Sequence, residues 1–277
     1  KGLGDLAPLP GWSGETLRQA LEEFKAKKSK ILKTRWTKET YLTELEKLKL
    51  YPSLSFALES ALSSLLCPHL VLPVKISALF TGSLSQILEK ASRAEEKNIR
   101  SAKLKISQLS IEEAKQAIDA LKRRFFLRID VNRAWSKEKA LQFFSQFPLD
   151  TFDYVEEPFE DPKELASFPH PLAIDESFPK DLSLKDLENF PTLKALIYKP
   201  TMQGGLERCL PLYEWTREKK VSLVLSSSFE SDVGLYQIAA LATRLKLTNP
   251  IGIATFAYAK DFLYKTPPEV LDGFLQI

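Results

Sequence analysis

The 277-residue sequence predicts an α/β chain organised around a parallel barrel, and three observations carry that reading. From residue 74 onward, short β-rich runs alternate with segments of helical period, the grammar of a parallel sheet with crossover helices. Seven such runs lie at residues 74–80, 102–106, 126–131, 152–156, 172–175, 195–199 and 222–226. Most end in a charged or hydroxylated residue, as barrel strands do at the C-terminal mouth where active sites are built. One barrel takes about 250 residues, which leaves room for a smaller piece. Residues before 74 supply it, with charged helices expected at 17–27 and 38–48 and a more apolar one at 54–66.

The connections follow the same logic. Ser110 and Glu113 form a capping box ahead of Ile111, Ala114, Ile118 and Leu121, whose spacings of three and four make one apolar helix face. Ser136 is the N-cap candidate for a helix over 137–147, and 206–219 and 233–245 read as helices packed on the barrel exterior. A return helix is expected after every strand, and Gly204-Gly205 reads as a turn before Leu206.

Composition excludes several classes of function. With 39 Lys and Arg against 36 Asp and Glu, the net charge of +3 provides no basic field for nucleic acid, while a small anionic substrate is compatible with it. Cys67 and Cys209 are far apart and form no CxxC pair, so they read as buried free thiols. The longest apolar run, residues 65–74, is broken by Pro68 and Pro73 and is too short for a bilayer. No signal peptide is legible, so no stable membrane insertion and a cytoplasmic location are expected. His69 and His170 lie in proline-rich contexts and no Gly-x-Ser-x-Gly elbow accompanies Ser226-Ser227-Ser228, which argues against a serine hydrolase.

The strand-end residues are Lys103 and Lys105, Asp130, Glu156, Asp175, Lys199 and Ser226. Successive positions from Lys105 are 25, 26, 19, 24 and 27 residues apart, one βα unit each time, so all are expected at one mouth. Lys103 and Lys105 are two apart and point to one face of their strand. Three carboxylates from adjacent strands offer the all-oxygen ligation that a hard divalent cation takes. Taken singly, the lysines also fit a solvent-facing strand, and the acids fit helix caps or loops.

Six segments in order then resemble the enolase superfamily, and within it the o-succinylbenzoate synthases. They are Ala102-Lys103-Leu104-Lys105-Ile106, the run from Leu127 to Trp135, Val155-Glu156-Glu157-Pro158, Ile174-Asp175-Glu176-Ser177, Lys199-Pro200-Thr201 and the run from Ser226 to Ser231. The segment from Gly4 to Ser13 is similar to part of the family's capping domain. The resemblance implies a modified (β/α)7β TIM-like barrel over 74–252, a partial N-terminal α+β capping domain over 1–73 and a C-terminal segment, 253–277, returning to the cap. Several cap strands precede the Gly4 segment in the family and almost nothing precedes it here, so a chain starting inside its cap, or a reduced cap, is expected.

The same resemblance assigns roles. Lys105 matches the general base, Lys103 its partner beside the substrate carboxylate and Lys199 the opposing lysine; Asp130, Glu156 and Asp175 match ligands of Mg²⁺, for which Mn²⁺ can substitute. Arg128, Asn132, Ser226, Ser228 and Gly252 match residues around the substrate. The implied reaction is Mg²⁺-dependent syn dehydration of 2-succinyl-6-hydroxy-2,4-cyclohexadiene-1-carboxylate in menaquinone biosynthesis. The alternatives are an N-acylamino acid racemase, dipeptide epimerase or muconate cycloisomerase on the same scaffold, or a barrel without catalysis. Oligomeric state is not readable.

Overall fold

Strands of a parallel barrel are covered on both faces and need nearly unbroken apolar runs, and the seven runs of this chain form seven parallel strands. The computed structural model describes residues 1–67, 72–263 and 267–276, so His69 lies outside the described residues. After a two-residue strand β1 (Val74–Lys75) come β2 (Ser77–Phe80), β3 (Ser101–Lys105), β4 (Phe126–Asp130), β5 (Tyr154–Glu156), β6 (Leu172–Ile174), β7 (Leu193–Tyr198) and β8 (Ser222–Leu225). Strands β2 to β8 pair side by side in chain order. Two residues close the ring: Ile251 bridges Ile76 and Gly252 bridges Ser226, both in parallel. The Ser77 N–H donates to the Ile251 carbonyl and the Gly252 N–H to that of Leu225. The expected seven-plus-one TIM-like barrel is therefore present, with an eighth stave too short to carry a strand signal.

Three helices precede the barrel: α1 (Leu17–Lys33), α2 (Tyr41–Glu46) and α3 (Pro52–Leu66). Around it run α4 (Leu84–Glu96), α5 (Ile111–Leu121), α6 (Lys137–Phe144), α7 (Leu184–Leu187), α8 (Pro200–Gln203), α9 (Leu206–Lys219) and α10 (Asp232–Arg244). The capping box at Ser110 and the N-cap at Ser136 form as expected. Helices expected at 38–48 and 137–147 are shorter, as α2 and α6. Gly204 sits at φ +110° in the turn before α9.

The expectation of a return helix after every strand needs correction. After β5 the chain makes only a 3-10 helix, Pro162–Ser167, and after β6 the four-residue α7. In the connection after β5, prolines at 158, 162, 169 and 171 remove N–H groups that an α-helix would need. Aromatic packing covers this flank instead: Phe144 meets Phe143, Phe152 and Phe168 edge-on at 5.2, 5.7 and 5.3 Å.

The N-terminal helices keep a small core of their own, including Ile31, Tyr41, Leu45 and Leu54. Polar contacts join it to the barrel. Glu59 on α3 accepts from the Leu206 N–H at 2.7 Å and so caps α9. A Cβ at position 205 would push the Glu59 carboxylate out of this cap. Arg244 donates to the Tyr41 hydroxyl at 2.7 Å and the Ser63 hydroxyl at 2.9 Å. Near the C-terminus, β9 (Glu269–Leu271) and β10 (Phe274–Gln276) form a hairpin whose second strand pairs with β1, where helices and barrel meet. Cys67 and Cys209 are free and buried. Among the described residues no helix is long and apolar enough to cross a membrane.

Phe144 has no solvent exposure and anchors the flank that lacks a helix. Phe144→Ala is expected to destabilise the fold by about 3–5 kcal/mol, measured by urea unfolding, and Phe144→Leu by much less. Burial, opposed by the hydrogen bonds from Leu206 and Glu207, pushes the Glu59 carboxyl up to about 7. Between its ordinary value and about 7 the unfolded chain sheds this proton while the folded chain keeps it, so the contribution to stability falls as pH rises through that window. The stability difference between the unsubstituted protein and Glu59→Gln should shrink across that range in urea titrations at stepped pH; a constant difference would remove Glu59 as the cause.

Candidate active site

Alternation along the strands sends one set of side chains into the barrel. On its floor Tyr154, Ala173, Ala195, Ile197 and Val224 make a buried apolar shelf. One step further toward the strand ends the inward residues become charged: Lys103 and Lys105 on β3, Asp130 on β4 and Glu156 on β5, with Asp175 and Lys199 just past the ends of β6 and β7. Register sets them side by side, pairing Lys105 with Asp130 and Asp130 with Glu156.

Lys103 Nζ lies 2.5 Å from Glu156 Oε1 and 2.8 Å from Asp130 Oδ2. Lys199 Nζ is held by Asp175 Oδ2. Lys105 is looser, with Nζ 3.5 Å from Asp130 Oδ2 and 3.3 Å from Asn132 Oδ1, and its side chain is 38% exposed. Asn132 adopts φ +50°, a conformation that asparagine tolerates, and its N–H donates to Asp130 Oδ1 at 2.9 Å.

Electrostatics follow from burial and pairing. Burial alone would lower the Lys103 ammonium, but Asp130, Glu156 and Asp175 together hold it well above its ordinary value. Burial likewise opposes the Lys199 ammonium, but Asp175 and Glu156 together raise it. For Glu156 burial wins, aided by the charges of Asp130 and Asp175, and the carboxyl is pushed well up. Asp175 moves the other way, because Lys199 and Lys103 overcome its burial.

Glu156, Asp175 and Glu176 bring carboxylate oxygens within 4.8 Å of one another, a grouping able to hold a metal ion. Glu156 Oε2 and Glu176 Oε2 are buried without a hydrogen-bond partner. Such orphaned oxygens are costly unless a cation completes them, so the donor set fits a hard divalent ion. Asp130, expected among the ligands, is drawn to Lys103 and Lys105, while Glu176 joins the cluster from the residue next to Asp175.

Every residue expected at the site lines one cavity of about 970 Å³, including its opening to solvent: Lys103, Lys105, Arg128, Asp130, Asn132, Glu156, Asp175, Lys199, Ser226, Ser228 and Gly252. Their surroundings differ. Arg128 is tied down, its Nε donating to Asp153 at 2.9 Å and another nitrogen to the Pro250 carbonyl at 2.8 Å, with Tyr154 under the guanidinium. Ser226 donates to the Gly252 carbonyl at 3.2 Å, and the Ser228 hydroxyl is buried without a partner.

Other participants escape a reading of strand ends. Glu157 turns back at φ +46° and accepts from the Asp175 N–H, the Ser177 N–H and the Ser177 hydroxyl at 2.9, 3.0 and 2.6 Å, which fixes the Asp175 loop. Burial and the charge of Glu176 push its carboxyl up to about 7. Leu9 and Trp12 come from the N-terminal segment to the cavity wall. The doubled acids Glu156-Glu157 and Asp175-Glu176 were the available signal for Glu157 and Glu176; Leu9 and Trp12 had none beyond their segment's likeness to a cap.

The enolase C-terminal domain-like family profile matches residues 86–277. The o-succinylbenzoate synthase of Pasteurella multocida is 28% identical over 276 residues, covering 92% of this chain and 78% of the relative. That of Haemophilus influenzae is 30% identical over 258 residues, covering 87% and 74%. Among solved structures, MenC from Desulfotalea psychrophila superposes with a TM-score of 0.81 at 20% identity, covering 100% of this chain and 90% of that one. A dipeptide epimerase from Enterococcus faecalis gives 0.79 at 16% identity, covering 99% and 87%. The two superpositions establish the fold, and the profile and the sequence identities establish the kinship: the chain belongs to the enolase C-terminal domain-like family.

Proposed function

We propose that the chain is an o-succinylbenzoate synthase, a lyase that removes water from 2-succinyl-6-hydroxy-2,4-cyclohexadiene-1-carboxylate. The observation that carries this reading is the convergence of three ammonium groups and a buried carboxyl cluster on one barrel mouth, in a chain whose relatives bear that name over most of their length. The substrate is a small anion, in keeping with a cytoplasmic enzyme.

Lys105 is the base in this reading, because its contacts are the longest of the three lysines and its side chain is the most open. Nζ takes the proton from the ring carbon that bears the carboxylate. The C–H electron pair becomes the new ring double bond as hydroxide leaves the adjacent carbon, and Lys105 returns the proton to it as water. Lys103, fixed by Asp130 and Glu156, stands beside the ring carboxylate. Lys199, four staves away on the opposite wall, stabilises negative charge as it develops. Asn132 steadies Lys105, Arg128 holds the wall between Asp153 and Pro250, and Ser226, Ser228 and Gly252 receive the succinyl arm.

The proposed cofactor is Mg²⁺, with Mn²⁺ as a substitute, held by Asp130, Glu156 and Asp175 with Glu176 close at hand. When bound it supplies positive charge that makes a proton next to a carboxylate removable. Lysines on opposite walls also suit two-sided proton transfer, the chemistry of an epimerase, which is the second reading.

Turnover should depend on a divalent ion, and Lys105→Ala should lower it by about 10²–10⁴-fold while Mn²⁺ binding persists. Near-normal turnover in that variant would remove Lys105 as the base. Racemisation of N-succinylamino acids with deuterium uptake from D₂O, without dehydration, would favour the second reading. Mn²⁺ binding followed by electron paramagnetic resonance should be lost in Glu156→Gln and Asp175→Asn, and weakened about 10–100-fold in Glu157→Gln, which acts through the Asp175 loop. Comparing Asp130→Asn with Glu176→Gln identifies the third ligand. Unchanged binding in Glu156→Gln would place the metal elsewhere.

A further inference from the structure

Glu230 takes no part in the chemistry above, yet it is only 6% exposed and lies between the ends of two barrel staves. Its Oε1 accepts from the Thr201 hydroxyl at 2.6 Å and its Oε2 from the Ser228 N–H at 2.5 Å. Thr201 is fully buried in the first turn of α8, two residues after Lys199. Ser228 follows β8 on the cavity wall. Ser231, the neighbour of Glu230, donates its N–H and hydroxyl to Asp5 at 2.8 and 2.7 Å, which ties in the N-terminal segment that delivers Leu9 and Trp12.

A buried carboxyl facing two neutral donors is a poor device for stability. Burial pushes Glu230 up and the charge of Asp5 adds to it, whereas an apolar side chain of similar size would avoid that desolvation. Its effect is geometric. The hydroxyls of Ser226 and Ser227 both donate to the Gly252 carbonyl, and Ser227 also meets Thr255 at 2.7 Å. Ser228 differs: Glu230 holds its N–H, and its hydroxyl, in a residue only 4% exposed, is left without a partner on the cavity wall.

We propose that Glu230 is a positioning residue that, through the Ser228 N–H and the Thr201 hydroxyl, keeps the Ser228 hydroxyl free for an anionic group of the ligand and locks the backbone after Lys199. Only the identity of the ligand rests on the functional reading above. Glutamine at this position preserves both arms, since its carbonyl accepts from the Ser228 N–H and its amide donates to the Thr201 oxygen. Leucine preserves the volume and removes both.

The test combines ligand-free hydrogen–deuterium exchange with calorimetric binding of o-succinylbenzoate. In Glu230→Leu, with the fold confirmed by circular dichroism, Ser228 amide protection and product affinity should each fall by at least about tenfold, while Glu230→Gln keeps both within about threefold. A role in stability alone would lower the unfolding midpoint of the leucine variant and leave exchange at Ser228 and affinity unchanged, which overturns the proposal. If the leucine variant does not fold, Thr201→Val removes one arm at conserved volume, and faster exchange across residues 201–203 is expected; unchanged exchange there overturns the proposal equally. An unsubstituted protein that fails to bind o-succinylbenzoate sinks the functional reading, and the exchange data still decide the role of Glu230.

Discussion

Mutual neutralisation of charges inside the barrel is the constraint on which the rest of the molecule depends. Asp130, Glu156 and Asp175 are buried, as is most of Lys103 and Lys199, and an isolated charge in such a place is strongly destabilising. Each is tolerated because an opposite charge reaches it: Lys103 lies against Asp130 and Glu156, and Lys199 against Asp175. A slip of one residue in β3 or β4 would turn these side chains toward the surrounding helices, where nothing neutralises them. The apolar shelf below reinforces the arrangement, since removing water from one side strengthens every pair above it. Fold and site are thus one specification rather than a scaffold with chemistry added.

Around this charged ring the structure supplies positioning from further out. Glu157 fixes the Asp175 loop with three hydrogen bonds, and Glu59 caps the helix that follows the Lys199 turn. Both are buried carboxyls pushed up to about 7, so the frame of the site is itself built from groups sensitive to pH. The N-terminal segment is wedged against α3, where side chains at Gly2 or Gly4 would strike the Ala61 and Ala57 carbonyls, and it reaches the cavity with Trp12.

How much was legible in the sequence follows from the physics of each element. Barrel strands and their terminal charges were readable because a period of two and a repeat of one βα unit are local, one-dimensional signals. Helices with caps, such as the one beginning after Ser110, were readable for the same reason. The closing stave was not, since Ile251 and Gly252 become β-bridged only when both neighbours are in place. The connection after β5 has no α-helix, because prolines at 158, 162, 169 and 171 interrupt it, and a one-turn α7 after β6 is too short to leave an amphipathic period. Glu176 is not legible from strand ends, because it sits one residue past the Asp175 strand end, yet its carboxylate joins those of Glu156 and Asp175. Gly252 entered through resemblance alone.

The seam at Gly252 links closure of the barrel to the lining of its mouth. The Gly252 carbonyl accepts from the Ser227 N–H at 2.9 Å and from the hydroxyls of Ser226 and Ser227 at 3.2 and 3.1 Å. It therefore satisfies both hydroxyls within the closing seam. The two hydroxyls that line this end of the cavity thus also hold the last stave to the end of β8, so closure of the ring and the polarity of its mouth rest on the same two hydrogens.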